Sequence, residues 1–101
     1  MLDYEMRRHT LYLRLKNDLD HRAAQQLRDE VDALLGDASI RRLVLDLKQL
    51  RFMDSSGIGF IIGRYKLLSR RGGSVAVVNA DQRMDRIFEM AGLYQLVDRL
   101  A

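Results

Sequence analysis

Residues 42–59 read RLVLDLKQLRFMDSSGIG. The first six are almost continuously apolar, and VAVV at 75–78 is wholly so. Strands of that kind are covered on both faces, the habit of central parallel strands. About six residues past the first strand, MDSSGIG leads into a segment of helical spacing at 57–70, which Gly72-Gly73 ends. Strand, helix and strand in that order imply a right-handed crossover between parallel strands.

The flanks extend this unit in both directions. Leu2, Tyr4 and Met6 alternate with Asp3, Glu5 and Arg7. Beyond Arg8-His9, Leu11, Leu13 and Leu15 take every second position, so the N-terminus reads as two half-buried strands in a hairpin. Asp20 is placed to cap a helix starting at His21 or Arg22. Ala24, Leu27, Val31, Leu34 and Leu35 form its apolar stripe, and Gly36 stops it. QRMDRIFEM at 82–90 reads as a last helix with Met84, Ile87 and Phe88 on its apolar side, closed by Gly92. LYQLVDRL reads as a short edge strand or a further helical turn. The order β-β-α-β-α-β-α predicts a small single α/β domain over residues 1–101. Its β-sheet is mixed and centrally parallel, with helices packed on it.

Bulk properties narrow the function. A chain of 101 residues, 48% of them hydrophobic, suits one domain with a modest core. It has no cysteine, so neither a disulfide framework nor a thiolate metal site is expected. No run approaches the ~20 apolar residues of a membrane helix, and MLDYEMRRHT lacks a signal-peptide core. A cytoplasmic protein away from membranes is expected. The net charge of +3, with signs interspersed, reads as a mixed solvated surface rather than a nucleic-acid site.

The paired serines admit several readings. A helix start leaves four N–H groups unpaired, and Ser55 or Ser56 could cap one for about 1 kcal/mol. One serine suffices for that, so the other is left over. A helix start also favours negative charge. A phosphoryl group on Ser55 would add about −1.5 to −2 charges beside Asp54. It would change what a partner meets without unfolding the turn. A nucleophilic serine needs a base, yet His9 and His21 are both N-terminal, expected in a hairpin turn and at a helix start. No Gly-x-Ser-x-Gly elbow is present. GIGFIIG at 57–63, with Asp81 downstream, imitates a dinucleotide fingerprint at a spacing one residue too long. A small nucleotide-binding domain is therefore an alternative. Close helix packing is the simpler reason for Gly59 and Gly63, which lie four apart.

At 100° per residue, Ile58, Ile61, Ile62, Tyr65, Leu68 and Ser69 fall on one side of the second helix, its expected core face. Phe60, Arg64, Leu67 and Arg71 fall opposite. Aromatic, arginine and leucine side chains together suit the centre of a protein interface. The expected docking surface thus joins Asp54, Ser55, Ser56 and Gly57 to Phe60, Arg64 and Leu67.

FMDSSGIGFIIGRYK at 52–66 resembles the signature of the STAS-domain anti-sigma-factor antagonists, nearest to their sporulation branch, which acts on the anti-sigma-F factor. NDLDHRAAQQL at 17–27, IRRLVLDLKQLRFMDSSG at 40–57 and RIFEMAGLYQLV at 86–97 extend the likeness over most of the chain. The resemblance implies a binding regulator; no catalysis or cofactor of its own is expected, and nothing in the sequence demands a dimer, so a monomer is expected when the protein is alone. Its unphosphorylated form would bind an anti-sigma factor that is also an ATP-dependent serine kinase, freeing the sigma factor. Phosphorylation would release the kinase, and a serine phosphatase would reset the switch. By motif match the phosphorylated residue is Ser55, and Asp20 and His21 lie near the same surface. A general stress-response or other regulatory member with a different anti-sigma partner is the alternative within the family. Asn17 stands where the family often has glycine, and asparagine tolerates left-handed backbone angles.

Overall fold

The computed structural model describes residues 2–100. Strands β1 (Asp3–Arg7) and β2 (Thr10–Leu19) lead into helix α1 (His21–Leu35). Strand β3 (Arg42–Met53), helix α2 (Ser55–Ser69), strand β4 (Ser74–Val78) and helix α3 (Gln82–Met90) follow. A 3₁₀ turn at Leu93–Gln95 precedes the two-residue strand β5 (Asp98–Arg99), so LYQLVDRL supplies both a helical turn and an edge strand.

The five strands lie in sequence order. The β1–β2 pair is antiparallel, whereas β2–β3, β3–β4 and β4–β5 are parallel. This is the mixed, centrally parallel sheet that the pattern predicts. Each crossover advances one strand in the same direction, so a common right hand puts α1, α2 and α3 side by side on one face. Val31 and Leu35 of α1, Ile61 and Leu68 of α2, and Met84 and Phe88 of α3 there form one core with alternate residues of the sheet, among them Leu13, Leu45 and Val77.

The opposite face carries no helix, which corrects the expectation that β3 and β4 are covered on both sides. Val44 and Ala76 are buried there all the same. They sit mid-row in the register Tyr12–Val44–Ala76–Asp98. Arg42 spans the same face, donating to Ser74 Oγ at 2.7 Å and to Asp98 at 3.3 Å. Tyr4 and Met6, expected to be half-buried, are largely exposed because β1 is an edge strand.

Arg8 takes φ 55° in the hairpin that joins β1 to β2. Near the far end of β2, Asn17 takes φ 63°, the left-handed angle anticipated for it. The β2–β3 register shifts between Asn17 and Asp18 and then resumes as Asp18–Phe52 and Leu19–Met53. Strand β3 consequently runs six residues beyond its apolar half, and α2 starts at Ser55 instead of residue 57. No loop intervenes: the serine turn is the end of the strand.

Candidate functional site

Leu19 and Met53 are register partners at the carboxyl ends of adjacent parallel strands. In each strand the next residue is an aspartate and the one after it begins a helix. The Asp20 carboxylate accepts the Ala23 N–H at 2.9 Å, and the Asp54 carboxylate accepts the Ser56 N–H at 2.8 Å. The Asp54 N–H donates to the Leu19 carbonyl at 3.4 Å, tying the two turns together. Two capped helix N-termini therefore stand side by side where open α/β sheets place their binding sites.

The α2 cap is Asp54, not a serine, which corrects the capping expectation. An aspartate one residue earlier satisfies the free N–H groups, so neither hydroxyl is needed. Ser55 becomes the first helical residue. It is exposed, and its hydroxyl bonds to none of the described residues. The Ser56 hydroxyl lies 3.4 Å from His21 Nδ1. Serine and histidine, remote in sequence, are thus neighbours, which overturns the argument from their separation. Among the described residues no carboxylate bonds the His21 ring, so the orienting group of a catalytic triad is missing. Gly57 is fixed by packing. A Cβ there would lie 2.3 Å from Met53 Cγ and 3.1 Å from a Leu19 methyl, so glycine lets α2 begin directly against the strand ends.

The electrostatics favour one added anion and disfavour a crowd. Adjacent helix N-termini stabilise negative charge within their first turn, while Asp20 and Asp54 already supply two carboxylates at this edge. A phosphate on Ser55 would be tolerated by the fold and would make the edge strongly negative.

The outer-face expectation for α2 fails. Phe60 is 4% exposed and Arg64 is 7% exposed. Arg64 Nε lies 3.1 Å from Asp32 of α1, and the guanidinium sits over the Phe60 ring at 5.1 Å. Leu67 packs against the core margin. A one-sided helical wheel assumes a surface helix, but α2 is the middle of three and buries its α1-facing flank as well as its sheet-facing side. The exposed apolar groups at this end are Phe52, 43% exposed, and Ile87, 38% exposed, which border one shallow cleft with Met53. The strand period puts Phe52 on the side of the buried Leu50, so its exposure is not marked in the sequence.

Gly59 and Gly63 are not packing glycines either: a Cβ at each would meet nothing within 4 Å. They open a groove of about 350 Å³ between α1 and α2. GIGFIIG lies wholly inside α2 and forms no phosphate-cradling turn. Asp81 caps α3 by accepting the Met84 N–H at 2.8 Å. The dinucleotide fingerprint is therefore overturned. Among the described residues no cluster of His, Cys, Asp or Glu could hold a metal, and no helix is long and apolar enough to cross a membrane.

Comparison with known proteins agrees with this fold. The STAS domain family matches residues 1–101. The anti-sigma F factor antagonist of Paenibacillus polymyxa is 38% identical over 96 residues, covering 95% of this chain and 82% of the relative. The structure of the anti-sigma factor antagonist SpoIIAA in its unphosphorylated form superposes with a TM-score of 0.81 at 26% identity, covering 100% of this chain and 88% of that one. The Bacillus cell fate determinant SpoIIAA in the phosphorylated form superposes at 0.79 and 28% identity, covering 100% and 92%.

Proposed function

This chain belongs to the STAS-domain family, and we propose that it is a phosphorylation-switched antagonist of an anti-sigma factor. With Ser55 bare, it binds an anti-sigma factor that is also a serine kinase and so liberates a sigma factor. Transfer of the ATP γ-phosphoryl group to Ser55 Oγ ends that binding, and a serine phosphatase restores it. The protein is the kinase's substrate and performs no chemistry of its own. The anti-sigma F factor antagonist of Paenibacillus polymyxa supports sigma-F as the factor controlled; sporulation as the setting and the cytoplasm as the place of action are part of this proposal.

The observation that carries this reading is the division of labour at α2. Asp54 holds the helix start, and Ser55, one residue on, is exposed and unengaged. A hydroxyl so placed can gain a phosphate without dismantling the turn. The docking edge comprises Asp20, His21, Asp54, Ser55 and Ser56, with Gly57 shaping it from beneath and Phe52 and Ile87 as apolar neighbours.

The test is incubation with the anti-sigma kinase of the same organism and ATP, followed by phosphosite mapping and a binding assay. Phosphate at Ser55 with loss of the complex is expected. Phosphate at Ser56, or no complex with the unphosphorylated protein, overturns the reading.

A further inference from the structure

We propose that the groove between α1 and α2 receives an acidic segment of the kinase partner, which Arg64 and Arg28 recognise; this rests on the antagonist function proposed above. The groove exists because two positions that could carry side chains carry none. Gly59 and Gly63 lie one turn apart on the same flank of α2, with open space where a Cβ would project. In a helix interior each glycine costs stability relative to alanine, and here neither is needed for packing.

The lining has a definite charge. Two arginines reach it, Arg28 from α1 and Arg64 from α2, and among the described residues no carboxylate lines it. Arg64 is under-satisfied. Its guanidinium carries five N–H donors, yet the residue is more than nine-tenths buried and makes one ion pair, to Asp32. Its Nη1 is buried without a hydrogen-bond acceptor among the described residues. Burial pulls its pKa below the ordinary arginine value, Asp32 opposes that, and Arg28 adds to it. A second anion brought to this place would relieve the desolvated cation, and charge-assisted bonds of that kind are strong in a site shielded from water.

The length and direction of the groove favour a peptide over a small ion. It runs along α2 from Ser56 to Arg64, about 12 Å at the helical rise. Its mouth is the His21–Ser56 pair, immediately beside Ser55. An acidic segment seated there would pass the switch residue, so a phosphate on Ser55 would repel it directly. The groove thereby supplies a reason why one added anion ends binding while the fold stays intact.

The experiment uses two variants outside the core, Arg28→Glu and Gly63→Leu, with the kinase as the probe. Arg28→Glu should retain the wild-type unfolding transition, Gly63→Leu should match or exceed it, and each should bind the kinase at least tenfold more weakly. Binding by Arg28→Glu should recover when an acidic residue of the kinase, found by an Asp/Glu→Lys scan, is reversed. Wild-type affinity in both variants overturns the groove and leaves the antagonist function standing. Failure of the unsubstituted protein to bind overturns the function and the groove together.

Discussion

The Asp54 carboxylate accepts the Ser56 amide at 2.8 Å, and that bond leaves the Ser55 hydroxyl without a structural duty. Had Ser55 been the cap, phosphorylation would have removed the acceptor that begins α2. The helix start and the proposed switch instead belong to consecutive residues. Asp54→Ala should lower unfolding stability by about 1 kcal/mol, the usual value of a cap. Ser55→Ala should change it by less than about 0.5 kcal/mol, as surface substitutions do. Urea denaturation of the two variants measures both, and equal losses would return the cap to the serine.

Ser55→Asp places a permanent carboxylate at the first position of α2, where a helix tolerates negative charge. The expected outcome is an unchanged fold by circular dichroism, a melting temperature near that of the wild type, and loss of kinase binding by calorimetry. An unfolded variant would mean that the switch acts on the domain rather than on its edge.

The glycines separate into two classes that alanine scanning can tell apart. Gly59→Ala and Gly63→Ala should each stabilise the protein by up to about 1 kcal/mol, since helix propensity improves and the added methyl meets open space. Gly57→Ala should cost about 1–3 kcal/mol, because the flexible Met53 side chain must move aside. Gly73→Ala should cost more than Gly57→Ala. Its Cβ would lie 2.0 Å from the Arg41 carbonyl oxygen, and backbone cannot step aside as a methionine can.

Tyr94 gives the fold an alkaline limit. Its hydroxyl donates to Asp85 of α3, which also accepts from Arg99 of β5 at 2.7 Å. Burial first, and then the hydrogen bond and charge of Asp85, raise the phenol above its ordinary value of 10.0. With the folded value raised, the contribution to stability is complete below pH 10. It is lost as pH climbs toward the folded value, because the unfolded chain ionises first. Melting temperature should therefore fall above pH 10, and Tyr94→Phe should flatten that decline. An unaltered slope in the variant would place the alkaline sensitivity elsewhere.

Much of this molecule is legible in local pattern. The hairpin, the central strands β3 and β4, the three helices and the Asp20 cap follow from spacing and side-chain chemistry, and the left-handed Asn17 is flagged by the family resemblance. Position 55 is conspicuous because one of two adjacent hydroxyls is surplus to any cap. Which group did the capping was not legible, since Asp54 and both serines are all capable of it and only the turn geometry chooses.

What the sequence by itself determined is the order of the elements and the faces each can bury, because periodicity is a property of a single segment. What only the tertiary structure decided is which neighbour covers each face. A wheel drawn for α2 turns Phe60 and Arg64 outward, but α2 is the central helix and α1 lies against that flank. The same packing brings His21 across 35 residues to Ser56 and leaves Gly59 and Gly63 facing open space. Burial and contact are relations between segments, fixed by how one element lies on the next, and no single segment's pattern contains them.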